Sequence, residues 1–144
     1  MMIVTAAALG EIGAPAVPGL LAALRDADAD VRRTAAAALW RIGDAAAVSG
    51  LLAALGDADW YVREAAAKAL GWIGDAAAVP GLLAALGDAD WYVRKAAAKA
   101  LGEIGDAAAV PGLLAALRDA DWQVREAAAA ALGEIGDADR KSVV

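Results

Sequence analysis

The chain contains no cysteine, no histidine, no phenylalanine and no asparagine. Without cysteine there is no disulfide, no thiolate metal site and no cysteine nucleophile. Without histidine the commonest general base and metal ligand are gone. Positive charge is scarce as well: 13 Lys and Arg against 19 Asp and Glu leave a formal net charge of -6. That balance argues against a general phosphate-binding surface, because nonspecific nucleic-acid binding rests on clustered Lys and Arg. No apolar run reaches membrane-spanning length, since Asp, Arg, Glu and Lys interrupt every stretch. The opening MMIVTAAALGEIG lacks a basic start and meets Glu11 too soon for a secretory signal. A cytoplasmic protein is expected, with no cofactor, no metal site, no catalytic residues, and no nucleic-acid or membrane partner.

Alanine is what the chain has in abundance, and alanine has the best intrinsic helix propensity. The 144 residues would suit one ordinary domain, but the chain says the same thing several times. Val31, Val62, Val93 and Val124 stand 31 residues apart, as do Leu39, Leu70, Leu101 and Leu132, and Leu20, Leu51, Leu82 and Leu113. The only slip is early: Gly13 and Gly43 are 30 apart, so one residue is missing from the first turn. Turns tolerate deletions better than helices do.

Each unit holds two helical patterns. Val62, Ala66, Ala69, Leu70 and Ile73 form one apolar stripe at helical spacing. Asp59 stands where an N-cap carboxylate accepts orphan backbone N–H groups, and Gly74 where a helix end needs a left-handed residue. Val79, Leu82, Leu83 and Leu86 form the second stripe, ending at Gly87. Asp75 can cap its start, and Pro80 lacks a backbone donor, so a loose turn is expected from Asp75 to Val79, with the regular helix beginning near Pro80. The periodicity predicts nine helices, at 3–12, 15–24, 29–42, 46–55, 60–73, 77–86, 91–104, 108–117 and 122–135, and no strand. Such short pairs cannot bury both faces alone. Stacked on copies of themselves they build one continuous core.

The stretch DADWYVREAAAKALGWIGDAAAVPGLLAAL, with its Val-Arg, Ala-Leu-Gly-x-Ile-Gly-Asp and Ala-Val-Pro signatures, resembles the HEAT-like repeat of the phycobilisome-lyase type. It also looks like artificial consensus repeats built from that family. The resemblance covers about Ala6 to Ala138. It implies an all-α, alpha-alpha superhelix of about four and a half 31-residue, two-helix repeats, with first helices convex and second helices concave. It implies little about activity. The related metal-dependent hydroxylases need His-Glu pairs, and this chain has no His. HEAT-like DNA glycosylases use a basic concave groove, whereas Ala76, Ala77, Gly81, Ala84 and Ala85 would line this one. Bilin lyases are longer, typically work as paired subunits, and would find no Cys or His here to handle a bilin. The leading expectation is a noncatalytic scaffold for a protein partner. The alternatives are a fragment of a bilin lyase or lyase-associated subunit, and an artificial or orphan repeat without an evolved ligand.

Trp60, Trp91 and Trp122 share one repeat position, followed by Tyr61, Tyr92 and the exception Gln123. Such a row could suit partner contact, but the favoured reading is that each Trp closes the edge between adjacent repeats with its large apolar area. Tyr61, Tyr92 and Trp72 are the better contact candidates, since they fall with Glu64 and Lys68 on the face away from Val62 and Ile73. Arg32, Arg63, Arg94 and Arg125 recur beside Asp28, Asp59, Asp90 and Asp121. An anion-binding row is one reading. A register-fixing ladder of Asp–Arg pairs between units is the favoured one. Glu64, Lys68, Lys95, Lys99, Glu103, Glu126 and Glu134 change sign between equivalent positions, as a solvated helix face does.

Both ends depart from the repeat. The first helix lacks the Asp-x-x-Val-Arg start, and from Asp139 the chain reads DRKSVV where AAVPGL is expected. The codons GAT CGG AAG AGC GTC GTG TAG would encode that tail and match a common sequencing-library adapter. Residues 139–144 are therefore expected to be an adapter-derived tail, outside the solenoid of residues 1–138, on a metagenomic fragment of a longer array. Without a C-terminal capping unit, the stripe of Val124, Ala128, Leu132 and Ile135 is expected to be exposed and to drive a closed homodimer, favoured over an open head-to-tail stack.

Overall fold

The structure is a computed structural model, and it describes residues 13–142. Eight α-helices run through the described residues in strict alternation of short and long: α1 (Val17–Ala23), α2 (Ala29–Ile42), α3 (Val48–Ala54), α4 (Trp60–Ile73), α5 (Val79–Ala85), α6 (Trp91–Ile104), α7 (Val110–Ala116) and α8 (Trp122–Ser142). No strand occurs among these residues. The helix expected at 3–12 lies outside them.

The long helices start and stop where their capping residues stand. Asp59 Oδ1 accepts the Tyr61 N–H at 2.8 Å and the Val62 N–H at 3.3 Å, satisfying donors that a helix start leaves unpaired. Gly43, Gly74 and Gly105 close α2, α4 and α6 with φ of 66°, 77° and 76°, a left-handed conformation that costs other residues a Cβ clash. The short helices begin less regularly. Asp75 accepts the Ala77 N–H at 2.9 Å and starts a single 3-10 turn over Ala76–Ala78; the α-helix takes over at Val79, with Pro80 in its first turn. Gly87 has no positive φ. Its turn tolerates a side chain, which is why Arg25 and Arg118 stand in the same register.

The last helix differs from expectation. It does not end at Ile135 but continues through Gly136 to Ser142. After Gly43, Gly74 and Gly105, which share this register, the chain reads Asp-Ala-Ala-Ala-Val, whose valine is the first residue of a new packed helix. After Gly136 the chain reads Asp-Ala-Asp-Arg-Lys, with nothing apolar to pull it into a turn, so hydrogen bonding simply continues.

The long helices α2, α4, α6 and α8 lie side by side in one layer, and each short helix packs on the long helix that follows it. Leu39, Leu70 and Leu101 from the long helices and Leu51, Leu82 and Leu113 from the short ones are completely buried between the layers. Each contributes roughly 1.5–3 kcal/mol of burial. Neighbouring long helices touch backbone to backbone. A Cβ added at Gly71 would lie 2.7 Å from Ala100 Cα, and one at Gly102 would lie 2.8 Å from Ala131 Cα. No polar or charged side chain is buried among the described residues.

Candidate functional site

The loops between repeats are stitched by arginine. Arg63 on α4 donates from Nη1 to the carbonyls of Asp57 (2.8 Å) and Ala58 (3.2 Å) in the loop before its helix. Its Nε and Nη2 reach Asp88 in the next loop at 2.9 and 3.2 Å. Arg32 with Asp57 and Arg94 with Asp119 repeat this fork. The ladder exists, but its carboxylates are corrected: Asp57, Asp88 and Asp119, not Asp28, Asp59, Asp90 and Asp121. The latter cap helices, Asp59 also accepting from Arg33 of the preceding repeat, and the fork from Arg32, Arg63 and Arg94 goes to the aspartate two residues before each cap. These pairs occupy the arginine face that an anion would need. Burial pushes the Asp119 carboxyl up, yet Arg94, the Asp121 N–H and the charge of Arg125 bring it net below the usual range.

Beside the ladder runs an aromatic edge. Trp60 stacks on Tyr92 of the next repeat, ring centroids 5.1 Å apart at 26°, and meets Tyr61 edge-on at 5.8 Å. Trp91 stacks on Tyr92 at 3.8 Å. Arg33 lies 5.6 Å from the centre of the Tyr61 ring and donates from Nε to Asp59 at 2.9 Å. That hydrogen bond is the main cause that holds the Asp59 carboxyl below its usual range; burial opposes it, and the Val62 and Tyr61 N–H groups add to it. In the last repeat Gln123 replaces the tyrosine and accepts a hydrogen bond from Lys95 Nζ at 3.0 Å, leaving Trp122 exposed and outside the stack. The row ties one repeat to the next and leaves Trp60, Tyr61 and Tyr92 each about two-fifths exposed.

A second aromatic group lies further along the long helices. Trp72 is 59% exposed, with its indole over the left-handed Gly43, whose added Cβ would come within 2.6 Å of it. Lys68 Nζ sits 5.5 Å from the centre of the Trp40 ring. Trp40 and Arg33 escaped the sequence reading. The signal for Trp40 was present, since it stands where Gly71, Gly102 and Gly133 stand in the later repeats. Glu64, expected on the exposed face, is drawn toward Lys68 at 3.6 Å and keeps only 15% of its side-chain exposure.

The self-association stripe is corrected. Val124, Ala128 and Ile135 are buried within the chain, because α8 packs on α6 and α7. Leu132 is half-buried. The apolar side chains exposed at this end are Leu114, Leu117 and Trp122.

No cluster of three or more Asp and Glu that could hold a metal is present among the described residues. The grooves are open, such as one of about 270 Å³ lined by Lys95, Lys99, Trp122, Gln123, Glu126 and Glu134. Glu103 titrates above the usual range, mainly through burial and then through Glu134, with Lys99 opposing. No described helix is long and apolar enough to cross a membrane.

The family of HEAT repeats matches residues 17–89 and 79–144, and the PBS lyase HEAT-like repeat matches residues 5–26. The chain belongs to the HEAT-repeat family. Among solved structures it is similar to the complex of CpcE and CpcF of phycocyanin lyase from a Nostoc species, with 33% identity and a TM-score of 0.76 over 92% of this chain and 59% of that one. It is similar to human deoxyhypusine hydroxylase in complex with glycerol, at 32% identity and a TM-score of 0.74 over 84% of this chain and 43% of that one. An engineered protein matches at 28% identity and a TM-score of 0.73 over 92% of this chain and 72% of that one. The chain thus spans less than two thirds of the length of either enzyme chain. No protein of curated function matches.

Proposed function

We propose that this HEAT-repeat chain is a noncatalytic, cytoplasmic scaffold that docks a protein partner on the aromatic edge of α4 and α6 and the adjoining Trp40–Trp72 surface. The observation that carries the reading is the Trp60–Tyr92 stack, which runs across a repeat boundary and still leaves Trp60, Tyr61 and Tyr92 open. Rigid, half-exposed Trp and Tyr are the residues on which binding energy concentrates. The acidic balance of the chain supports a protein partner over a nucleic acid. A photo-crosslinking residue at Tyr61 would identify the partner, and calorimetry with the purified partner would then compare wild type with the Tyr61→Ser/Tyr92→Ser double variant. Loss of about tenfold or more in affinity is expected. Unchanged affinity of the double variant would end this reading.

The 33% identity to a phycocyanin lyase complex over 92% of this chain supports a second reading, that of a piece of a bilin-lyase subunit. Its support is the likeness alone, since no Cys or His is available to engage a bilin. Titrating a bilin into the protein tests it: an absorbance shift favours the lyase reading, and an unshifted spectrum removes it.

A further inference from the structure

Among the described long helices, only α4 carries an exposed aromatic side chain at both ends of its outward face, Tyr61 and Trp72. They stand 11 residues apart, which is about three turns, so they share one side of α4 at a separation of about 16 Å along its axis. Lys68 lies between them on that side, its Nζ 5.5 Å from the centre of the Trp40 ring on α2. At the near end Arg33 of α2 lies 5.6 Å from the centre of the Tyr61 ring. The stripe thus runs along the seam between α2 and α4. The other repeats do not copy it: at the positions of Tyr61 and Trp72, α2 has Asp30 and Arg41, α6 has Tyr92 and Glu103, and α8 has Gln123 and Glu134. Trp72 is also held in place. A Cβ added at Gly43 would lie 2.6 Å from its Cδ1 and 2.8 Å from its Nε1, whereas one added at the equivalent Gly74 would meet nothing within 4 Å.

We infer that the partner element seated on this seam is an acidic amphipathic helix, lying along α4 with apolar side chains on Tyr61 and Trp72 and carboxylates toward Arg33 and Lys68. The inference rests on the partner-docking reading and gives that partner a shape and a charge. Spacing selects a helix over an extended segment. Alongside α4, a partner helix presents side chains at i and i+11 with the same rise and on one face. An extended segment covers about 16 Å in about five residues, and side chains five apart point to opposite faces. Hydrogen-bonding capacity selects the charge. The Trp40 and Trp72 indoles, the Arg33 guanidinium and the Lys68 ammonium only donate. Arg33 uses Nε and Nη2 on Asp59, and its Nη1 meets no acceptor among the described residues. Asp59 is already engaged by Arg33 and by the helix start it caps, and Glu64 by Lys68 at 3.6 Å. Carboxylates on the partner supply the acceptors that this seam lacks, and a basic helix would meet like charge.

A display library of peptides of about 16 residues, enough for four turns, tests it when panned on the full chain. The library holds helical and extended scaffolds in equal parts, with Glu and Lys equally allowed at the flanking positions. Enriched peptides should be helical, net acidic and apolar at i and i+11, and synthetic copies should bind one per chain. Trp72→Ser should weaken them about tenfold or more, and Lys68→Glu should weaken them by a similar factor. Gly43→Ala, which displaces the Trp72 indole, should weaken them too. Gly74→Ala, with the same left-handed backbone but no neighbour to displace, should not, and helical circular dichroism checks that each variant is folded. Enrichment of basic or extended peptides, tighter binding of a uridine oligonucleotide than of any peptide, or no enrichment at all would each overturn the inference. Peptides that need Tyr61 and Tyr92 but ignore Trp72 would overturn it as well, while leaving the docking reading in place.

Discussion

The seam between α2 and α4 and the seam between α4 and α6 are built from the same repeat and solve the same problem differently. At α4–α6, Gly71 lets the backbone of α6 approach until an added Cβ would lie 2.7 Å from Ala100 Cα. At α2–α4 the same register holds Trp40, whose ring turns outward beneath Lys68. A backbone contact as close as the glycine one has no room for an indole, so the first seam trades close approach for an aromatic surface. Close packing and exposed aromatic surface therefore compete for a single position per repeat, and this chain gives one repeat to surface and the later ones to packing.

The comparison can be broken first in the core beneath both seams. Leu39→Ala and Leu101→Ala both remove completely buried side chains, and each should cost about 2–5 kcal/mol in chemical denaturation. A much smaller loss for Leu39 would mean that the Trp40 seam is loose down to its core. Next comes the seam itself. Gly71→Leu should cost about 1–3 kcal/mol by overpacking against Ala100, whereas Trp40→Leu, at a site already open, should change the midpoint by less than about 1 kcal/mol. Equal losses would refute the contrast.

Acid should sharpen it further. Asp59, held low mainly by its hydrogen bond from Arg33, serves the α2–α4 side, and Asp119, where Arg94 and its neighbours outweigh burial, serves the other side of the array. A depressed carboxyl contributes stability above its unfolded value, near 3.8, and loses it as pH falls through the lower folded value. Denaturation midpoints should thus fall as pH drops below about 4, and Arg33→Gln should flatten part of that fall. The smallest effect concerns Glu103. Burial and Glu134 raise its titration point, so its charged form opposes folding, and Glu103→Gln at neutral pH should leave the midpoint unchanged or raise it within about 0.5 kcal/mol.

Much of the fold was legible because its punctuation is local. Asp28, Asp59 and Asp90 with Gly43, Gly74 and Gly105 fix α2, α4 and α6 to the residue, and each acts on donors or dihedrals within its own turn. The Asp–Arg ladder was legible in kind but not in partner. Asp57 and Asp59 are two residues apart, and only the fold reveals which one faces Arg32. The inward course of Val124, Ala128 and Ile135 was illegible for a related reason: an apolar stripe gives the face of a helix, not which neighbouring repeat it meets. The end of α8 was missed because Gly136 permits a turn without requiring one; the apolar residues that make the turn worthwhile lie downstream. Within the candidate site, Trp60 and Tyr92 stand 32 residues apart, so their stacking depends on the stagger between repeats, which no local pattern encodes.

The arginine fork has a mechanical consequence. Arg63 holds its own loop through carbonyls and the next loop through Asp88, so load applied along the array passes from loop to loop through one side chain per repeat. Nothing in this linkage spans more than one boundary. Pulled from its two ends, such an array should give way one repeat at a time, each rupture of a fork freeing the 31 residues between equivalent valines and lengthening the tether by about 100 Å. The extension trace would be a sawtooth of equal teeth, the signature of a modular spring.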